Sequence, residues 1–500
     1  MGSVHEHNPS LWVATTDPAP FAPLQGDARA DVAVVGAGIT GLATARLLVE
    51  AGASVVVVEA GDLCAGATGY TTAKVTSLHG LLYQRIASRF DEDRARGYGA
   101  ANEAAIREIE RLVALDGIDC DLERRGHVVY TTDPDQADVV AAEADLAARL
   151  GLPAATHVPT ELPLDVVAAL RFDGQAQFHP RKFCVGLASA ITGAGGSIFT
   201  GTRAVRVDGE ERVVVTERGE VRAGAIVVAT HLPPGEMGAY FARTEAHRSY
   251  ALAVRVAGPA PQDMYLSVDS PTRSLRTAGE HLLVGGEGHK VGEGGDTRER
   301  YRALEEWARA HFDVASIDFR WSAQDWSAAD GLPYIGRMAG HDDGVFVATA
   351  FAKWGMTHGV VAAMVIRDLL GGRENPWLEV FDATRIAPKQ AIRGVISENI
   401  GVAKHFVGDR LELPGADAVG HLSPGEGVVA SVAGEPVAAY RDEDGGLHAR
   451  SGRCTHLGCL VAFNPAERSW DCPCHGSRFG VDGRVLEGPA VADLQERPIA

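Results

Sequence analysis

Asp31-Val32-Ala33-Val34-Val35-Gly36-Ala37-Gly38-Ile39-Thr40-Gly41 decides how the first two-thirds of this chain folds. The run 31–35 is short, β-branched and closed by glycine, which suits a strand buried on both faces. Residues 42–51 then read as a helix stopped at Gly52, and 54–58 as a second buried strand. Strand, helix and strand within about thirty residues make a right-handed βαβ unit. Gly36, Gly38 and Gly41 occupy its first strand-to-helix turn. The first permits the tight turn, the second lets the backbone approach a pyrophosphate, and the third lets helix pack on strand; the helix N-terminus offers free N–H groups. Glu59 ends the second strand eighteen residues after Gly41, where a carboxylate can accept hydrogen bonds from a ribose diol. A glycine-rich turn alone is often structural. With strand, helix and acid all in order it reads as a dinucleotide site. The motif does not choose between NAD and FAD.

Outward from this unit, residues 80–175 turn helical, with amphipathic stretches at 98–115 and 135–150. Short alternating segments at 197–200, 212–216 and 225–229 return to β-structure, and 250–290 holds further strand-like runs. Residues 345–349 followed by 355–370 restore the α/β pattern, which Gly371-Gly372 and Pro376 end. After a polar connector the texture becomes short strands with Gly- and Pro-rich turns. The expected division is an irregular, Pro-rich extension at 1–28, an α/β and α+β body at 29–385, a linker at 386–404 and a small all-β domain at 405–500.

The chain has 500 residues, long enough for roughly three folding units. At 46% hydrophobic and 23% charged it has ample core material. Lys and Arg total 47 against 66 Asp and Glu, a net charge of −19 that repels phosphate backbones and anionic lipid. No nucleic-acid or membrane partner is expected, and no apolar run reaches the ~18 residues of a membrane span. The first twenty residues show no basic-then-apolar leader, so a cytoplasmic location is expected. Of the seven cysteines, Cys64, Cys120 and Cys184 are scattered and read as small buried apolar residues. Cys454, Cys459, Cys472 and Cys474 crowd together, which points to metal chemistry before a disulfide framework.

Four further stretches carry a resemblance. Gly66-Ala67-Thr68-Gly69-Tyr70-Thr71-Thr72-Ala73-Lys74, His179-Pro180 with Ala225-Ile226-Val227-Val228-Ala229-Thr230, Asp330-Gly331-Leu332-Pro333-Tyr334-Ile335-Gly336, and Phe351-Ala352-Lys353-Trp354-Gly355-Met356-Thr357 follow the turn in that order. Over about 30–385 the chain resembles the D-amino-acid-oxidase-like FAD enzymes, which include glycine and sarcosine oxidases. The resemblance implies FAD-binding parts at 29–80, 176–235 and 325–385, interleaved with substrate parts at 81–175 and 236–324. It implies FAD contacts from Gly36, Gly38, Ile39, Thr40, Gly41, Glu59 and Ala60, from Ala67, Thr68, Thr71 and Thr72, and from Val205, Ala229 and Thr230. Gly336, Trp354, Gly355, Met356 and Thr357 complete the set, the helix near Gly355 directing its positive end at the flavin pyrimidine. The loop 66–74 has no His, and 321–336 has no Cys, so noncovalent FAD is expected. With no second GxGxxG, NAD(P)H is not expected to reduce the flavin.

Cys454-Thr455-His456-Leu457-Gly458-Cys459 and Cys472-Pro473-Cys474-His475-Gly476-Ser477 form two matching boxes, with fifteen residues between His456 and Cys472. Two thiolates and two imidazoles suit a [2Fe–2S] centre of Rieske type, while C-x-H with C-x-x-H could also close a zinc tetrahedron. Zinc leaves the paired Cys459 and Cys474 unexplained. Over about 405–500 the chain resembles the cytochrome bc-type Rieske fold, which implies Cys454, His456, Cys472 and His475 as ligands and a Cys459–Cys474 disulfide. It also implies that the Ser477 hydroxyl bonds a cluster sulfur, that Phe479 stands where high-potential members carry Tyr, and that Pro489 belongs to a shielding loop.

Flavin and cluster on one chain imply a flavin- and [2Fe–2S]-dependent oxidoreductase, and the resemblance to the D-amino-acid-oxidase-like enzymes implies that it dehydrogenates the C–N bond of a small amine or amino acid. Electrons are expected to pass through the cluster to an external one-electron acceptor or donor protein. The alternatives are a flavin monooxygenase or oxygenase component fed through the cluster, and an electron-transfer protein with no substrate of its own. Arg276 is a candidate carboxylate clamp or else a surface arginine on a turn. Lys353 is a candidate for flavin or oxygen chemistry or else a solvated lysine. Tyr250 and Tyr265 are candidate pocket residues.

Overall fold

A computed structural model describes residues 8–19, 21–156, 160–341, 343–385 and 413–498. The expected linker, and the first residues of the expected C-terminal domain, lie outside these. The opening strand spans Ala28–Val35 and pairs in parallel with Val55–Val58 and with Gly219–Val228. All four residues of Val55-Val56-Val57-Val58 are buried, as a strand covered on both faces requires. The full sheet runs Tyr334–Arg337, Val345–Thr349, Gly219–Val228, Ala28–Val35, Val55–Val58, Ser197–Phe199, with a short meander attached. Gly36 turns the chain into helix Ile39–Glu50 at φ +106°, and a Cβ there would stand 2.5 Å from the Ala229 carbonyl oxygen, so only glycine fits. Helix Gly355–Leu370 packs across Ile39–Glu50, as expected from the 355–370 pattern.

The interleaved segments build a second, nine-stranded sheet. Its order is Val314–Ala328, Thr244–Val256, His281–Lys290, Arg273–Ala278, Met264–Ser267, Glu123–Thr131, Ala168–Gln177, Lys74–Val75, with Ala154–Thr156 beside Ala168–Gln177. Alternation along each strand assigns the two faces. Ala251, Ala253 and Leu283 join the core shared with the dinucleotide domain, and this is the inner face. Tyr250, Leu252, Val254, Leu275, Leu282 and Val284 pack on the outer face against helix Arg298–His311. Strand Val314–Ala328 is one continuous edge strand, so the boundary expected between 324 and 325 falls inside it. The alternating pattern simply continues through Trp326 and Ala328. The N-terminal extension also differs from its expected irregular state: Leu11–Ala14 is a short helix capped by Ser10, with Leu11 and Trp12 buried. One turn is too short for a period to show in sequence.

The C-terminal domain consists of two antiparallel sheets, Gly427–Val432, Glu435–Arg441, Leu447–Ser451 and Ala462–Asn464, Ser469–Asp471, Arg478–Gly480, Val485–Glu487. Trp470, Phe479, Val461 and the clustered cysteines form its own core. It docks on the outer face of the nine-stranded sheet. Thr297 Oγ1 donates to Asn464 Oδ1 (2.6 Å), Tyr301 OH to Glu467 Oε1 (2.8 Å), and Gly235 N to the Pro489 carbonyl (2.8 Å). Fully buried Arg248 lies 3.5 Å from Glu487. Among the described residues no helix is long and apolar enough to cross a membrane.

Candidate functional site

The dinucleotide turn is built as its sequence requires. Gly38 caps helix Ile39–Glu50 with extended backbone, and Ile39 N donates to Thr68 Oγ1 (3.1 Å). A Cβ on Gly38 would reach 3.0 Å from that hydroxyl, filling the cradle a pyrophosphate needs. Thr40 and Gly41 continue the first turn; a Cβ on Gly41 would sit 1.9 Å from the Gly36 carbonyl oxygen. Glu59 accepts Ala37 N at Oε2 (2.7 Å) and Gly61 N at Oε1 (2.8 Å), flanking Ala60. Burial pushes its carboxyl up, those bonds pull it back, and each oxygen keeps a lone pair for a ribose hydroxyl. Ala229 lies against Gly36 and donates its N–H to the Val35 carbonyl (2.9 Å), leading into Thr230. Val205 lies 36% exposed on the short strand Ala204–Asp208.

The loop after Glu59 lies along the inner face of the nine-stranded sheet. Ala67–Tyr70 is a 3₁₀ turn, Trp321 Nε1 donates to the Tyr70 carbonyl (2.8 Å), and Trp12 Nε1 to the Thr71 carbonyl (2.6 Å). Thr72 packs beside Gly285. Gly336 holds φ +128° in strand Tyr334–Arg337. Helix Gly355–Leu370 opens after Trp354 with no side-chain cap, so its first amides keep their positive end available for an acceptor. Trp354 stacks on His79 (4.4 Å), Met356 is buried, and Thr357 Oγ1 donates to the Thr76 carbonyl (3.1 Å). The glycine cradle, the acid and the uncapped helix end together fit FAD.

Two of the pocket candidates, Tyr250 and Tyr265, sit elsewhere than expected, and the third is committed to the backbone. Arg276 is neither on a turn nor exposed: it lies in strand Arg273–Ala278 at 3% exposure. Its Nε and NH1 donate to the carbonyls of Thr277, Ala73 and Phe178, so it braces the flavin loop. Tyr250 and Tyr265 are on the outer face, Tyr250 bonded to His289 (3.0 Å) and Tyr265 accepting Glu161 N (3.3 Å). Strand parity turned them from the loop. Lys353, at φ +76°, keeps accessible surface although protein surrounds it, its Nζ 3.4 Å from where a Gly288 Cβ would stand. Burial lowers its pKa and Asp325 raises it.

One residue escaped the sequence reading. Lys74 ends the loop at 7% exposure and bonds Ser274 Oγ; burial, helped by Arg276, lowers its pKa to about 7. Its position in the quoted loop was the available signal.

At the C-terminal site the two boxes face each other. The rings of His456 and His475 stand 5.1 Å apart and perpendicular, and both meet Phe241 edge-on at 4.9 and 5.0 Å. Both ring nitrogens of His456 are buried without a hydrogen-bond partner, so one is free to ligate a metal. Cys454 and Cys472 are buried with their thiols in contact; Cys472 is pushed up, and its hydrogen bond holds Cys454 down to about 7. Burial, then His456, lowers His475 to about 4. A thiolate pair and neutral imidazoles are the donor set a Rieske cluster takes. Cys459 and Cys474 form a disulfide across the two loops, Cα atoms 6.6 Å apart. Ser477 Oγ accepts Ala490 N (3.1 Å) and bonds the Cys454 thiol, Phe479 fills the core, and Pro489 carries the carbonyl that receives Gly235 N.

A flavin-binding body with a Rieske domain on its nine-stranded sheet defines a two-cofactor oxidoreductase. Residues 31–369 match the FAD dependent oxidoreductase family, to which the chain belongs, and 415–498 match the Rieske [2Fe-2S] domain. The same architecture spans the putative Rieske 2Fe-2S iron-sulfur protein YhfW of Bacillus subtilis, 38% identical over 494 residues and covering 97% of each chain. Gamma-glutamylputrescine oxidoreductase of Escherichia coli is 26% identical across 81% of this chain and 99% of its own. Glycine oxidase of Geobacillus kaustophilus shares the fold, with TM-score 0.58 and 21% identity over 72% of this chain and 99% of that one. The chain is an FAD-dependent oxidoreductase of the amine and amino-acid oxidase type carrying a Rieske domain.

Proposed function

We propose that the chain dehydrogenates the C–N bond of a small amine or amino acid, with FAD held noncovalently, and delivers the electrons through its Rieske domain to an external one-electron acceptor protein. The observation that carries this reading is the seat of the cluster ligands. The rings of His456 and His475 pack perpendicular to Phe241 of the oxidoreductase body. The names of the relatives, an oxidoreductase of a glutamylated putrescine and an oxidase of glycine, support the substrate class. When bound, the flavin takes a hydride equivalent from the substrate carbon and the cluster carries single electrons.

The chain's own residues do the rest. Gly36, Gly38 and Glu59 hold the dinucleotide, and the amides of helix Gly355–Leu370 favour negative charge at its first turn. Lys74, with a pKa of about 7, offers a buried base at Nζ on the inner face. Lys353 offers a cation for an acidic substrate group. Arg276 has no part in the proposal, since its Nε and NH1 are committed to backbone carbonyls.

Anaerobic titration with a panel of amines and amino acids tests it. A substrate should bleach the flavin first and reduce the cluster second, and NAD(P)H should reduce neither. A flavin that ignores every amine while a partner protein reduces the cluster first would favour the oxygenase alternative.

A further inference from the structure

The two cofactor sites lie on opposite faces of one sheet, and edge strand Val314–Ala328 touches residues of both. On edge strand Val314–Ala328 the side chains alternate, Gln324 and Trp326 to the outer face and Asp325 to the inner. Outside, Gln324 Nε2 donates to the carbonyl of Gly476 (2.7 Å), the residue next to the ligand His475. Gly476 presses so close that a Cβ there would stand 2.5 Å from Ala246 Cβ and 3.3 Å from the Trp326 ring. Inside, Asp325 Oδ2 accepts the N–H of Lys353 (2.6 Å), two residues before helix Gly355–Leu370 begins, and the Trp326 carbonyl accepts Ala352 N (3.0 Å).

A path from His475 to the start of that helix therefore crosses the strand through two hydrogen bonds, the side chains of Gln324 and Asp325 and the peptide between them, with short backbone runs at either end. Electron tunnelling weakens exponentially with the gap, and bonded paths weaken it far less than empty space. Phe241 touches both imidazoles, and among the described residues no aromatic ring of the loop 351–354 pairs with it.

We propose that Gln324-Asp325 is the electron-coupling element between the flavin and cluster sites, both acting as positioning residues. The proposal rests on the flavin-to-cluster reading above. Converting an ammonium carbon to its iminium releases two electrons and two protons. The protons pass to solvent; the electrons cross the strand singly and leave, one after the other, on the external one-electron acceptor protein. No bond in the strand itself changes.

The test uses the full chain loaded with both cofactors. The flavin is reduced rapidly without oxygen, and the cluster signal is followed in wild type, Gln324→Leu, Ala246→Val and Phe241→Leu. Gln324→Leu keeps volume but removes the donor. Ala246→Val inserts bulk where Gly476 presses and touches neither hydrogen bond. Both should slow transfer by roughly tenfold or more, with the Rieske electron paramagnetic resonance spectrum and the flavin-bleaching rate unchanged; Phe241→Leu should transfer at nearly the wild-type rate. Transfer at wild-type rate in Gln324→Leu overturns the proposal, as does a slow Phe241→Leu beside a fast Gln324→Leu. A changed cluster spectrum in both slow variants also overturns it, because it marks a merely structural role. Absence of transfer in the wild type itself overturns the functional reading instead.

Discussion

His456 and His475 show how little a cluster ligand depends on the rest of the chain. Their loops hang from a core of Trp470, Phe479 and Val461 that belongs to the C-terminal domain. His456→Ala and His475→Ala should each abolish the Rieske paramagnetic signal while leaving FAD bound, read by visible absorption; joint loss of both cofactors would contradict separate cores. Lys74 offers a pH test. Its folded pKa, about 7, lies below the ordinary value of 10.5. The unfolded chain therefore binds more protons between those values, and stability rises with pH across the window. In protein freed of FAD, Lys74→Met should gain stability relative to wild type as pH falls from about 10 to about 7, by a few kcal/mol, and level off below. Denaturant midpoints across that range check it; a constant difference would mean the ammonium is not buried. The cluster ligands were legible in sequence because two short loops make the spacing itself the geometry. Tyr250 and Tyr265 were not, because the face a strand residue meets depends on parity within a nine-stranded sheet assembled from distant segments, and the bonds of Arg276 to the Ala73 and Phe178 carbonyls join segments far apart in the chain. Lys74 was visible as a letter in a loop, but its burial was not.

Elements of strong period or punctuation announced themselves. The glycine turn, the valine strand Val55–Val58 and the helix from Gly355 to Leu370 form where the sequence places them, because each is decided by contacts within a few residues. Strand Val314–Ala328 was not read from the sequence, since nothing local tells which sheet its residues join. Helix Leu11–Ala14 was hidden because its stability comes from burying Leu11 and Trp12 beneath the flavin loop, a tertiary gain. Gly359 gives a prediction at this scale. In an isolated helix Gly→Ala gains about 1 kcal/mol. Here a Cβ would stand 2.8 Å from Thr40 Oγ1 and 3.1 Å from Ile39 Cγ2, at the crossing of two helices. Gly359→Ala should therefore lower the melting temperature and loosen FAD, because Thr40 and Ile39 belong to the dinucleotide turn. Unchanged FAD affinity with a raised melting temperature would show that the helices part without cost.

Across the whole molecule, a buried ion pair links the halves. Arg248 is fully enclosed and meets Glu487 of the Rieske domain at 3.5 Å. Removing the carboxylate leaves a buried guanidinium short of its countercharge, a loss of about 3 kcal/mol or more. Glu487→Ala should free the Rieske domain from the sheet, seen as faster proteolysis between the halves, while each retains its cofactor. Equal proteolysis of wild type and variant would assign the docking to Thr297, Tyr301 and Gly235 instead. The close seat of Gly476 on Ala246 also bears on how such a fusion can evolve. A gene joined from two parts is commonly free to exchange either one by recombination. Here a borrowed module with any side chain at position 476 would collide with the methyl group of Ala246, so shuffling is confined to donors that bring the glycine with them.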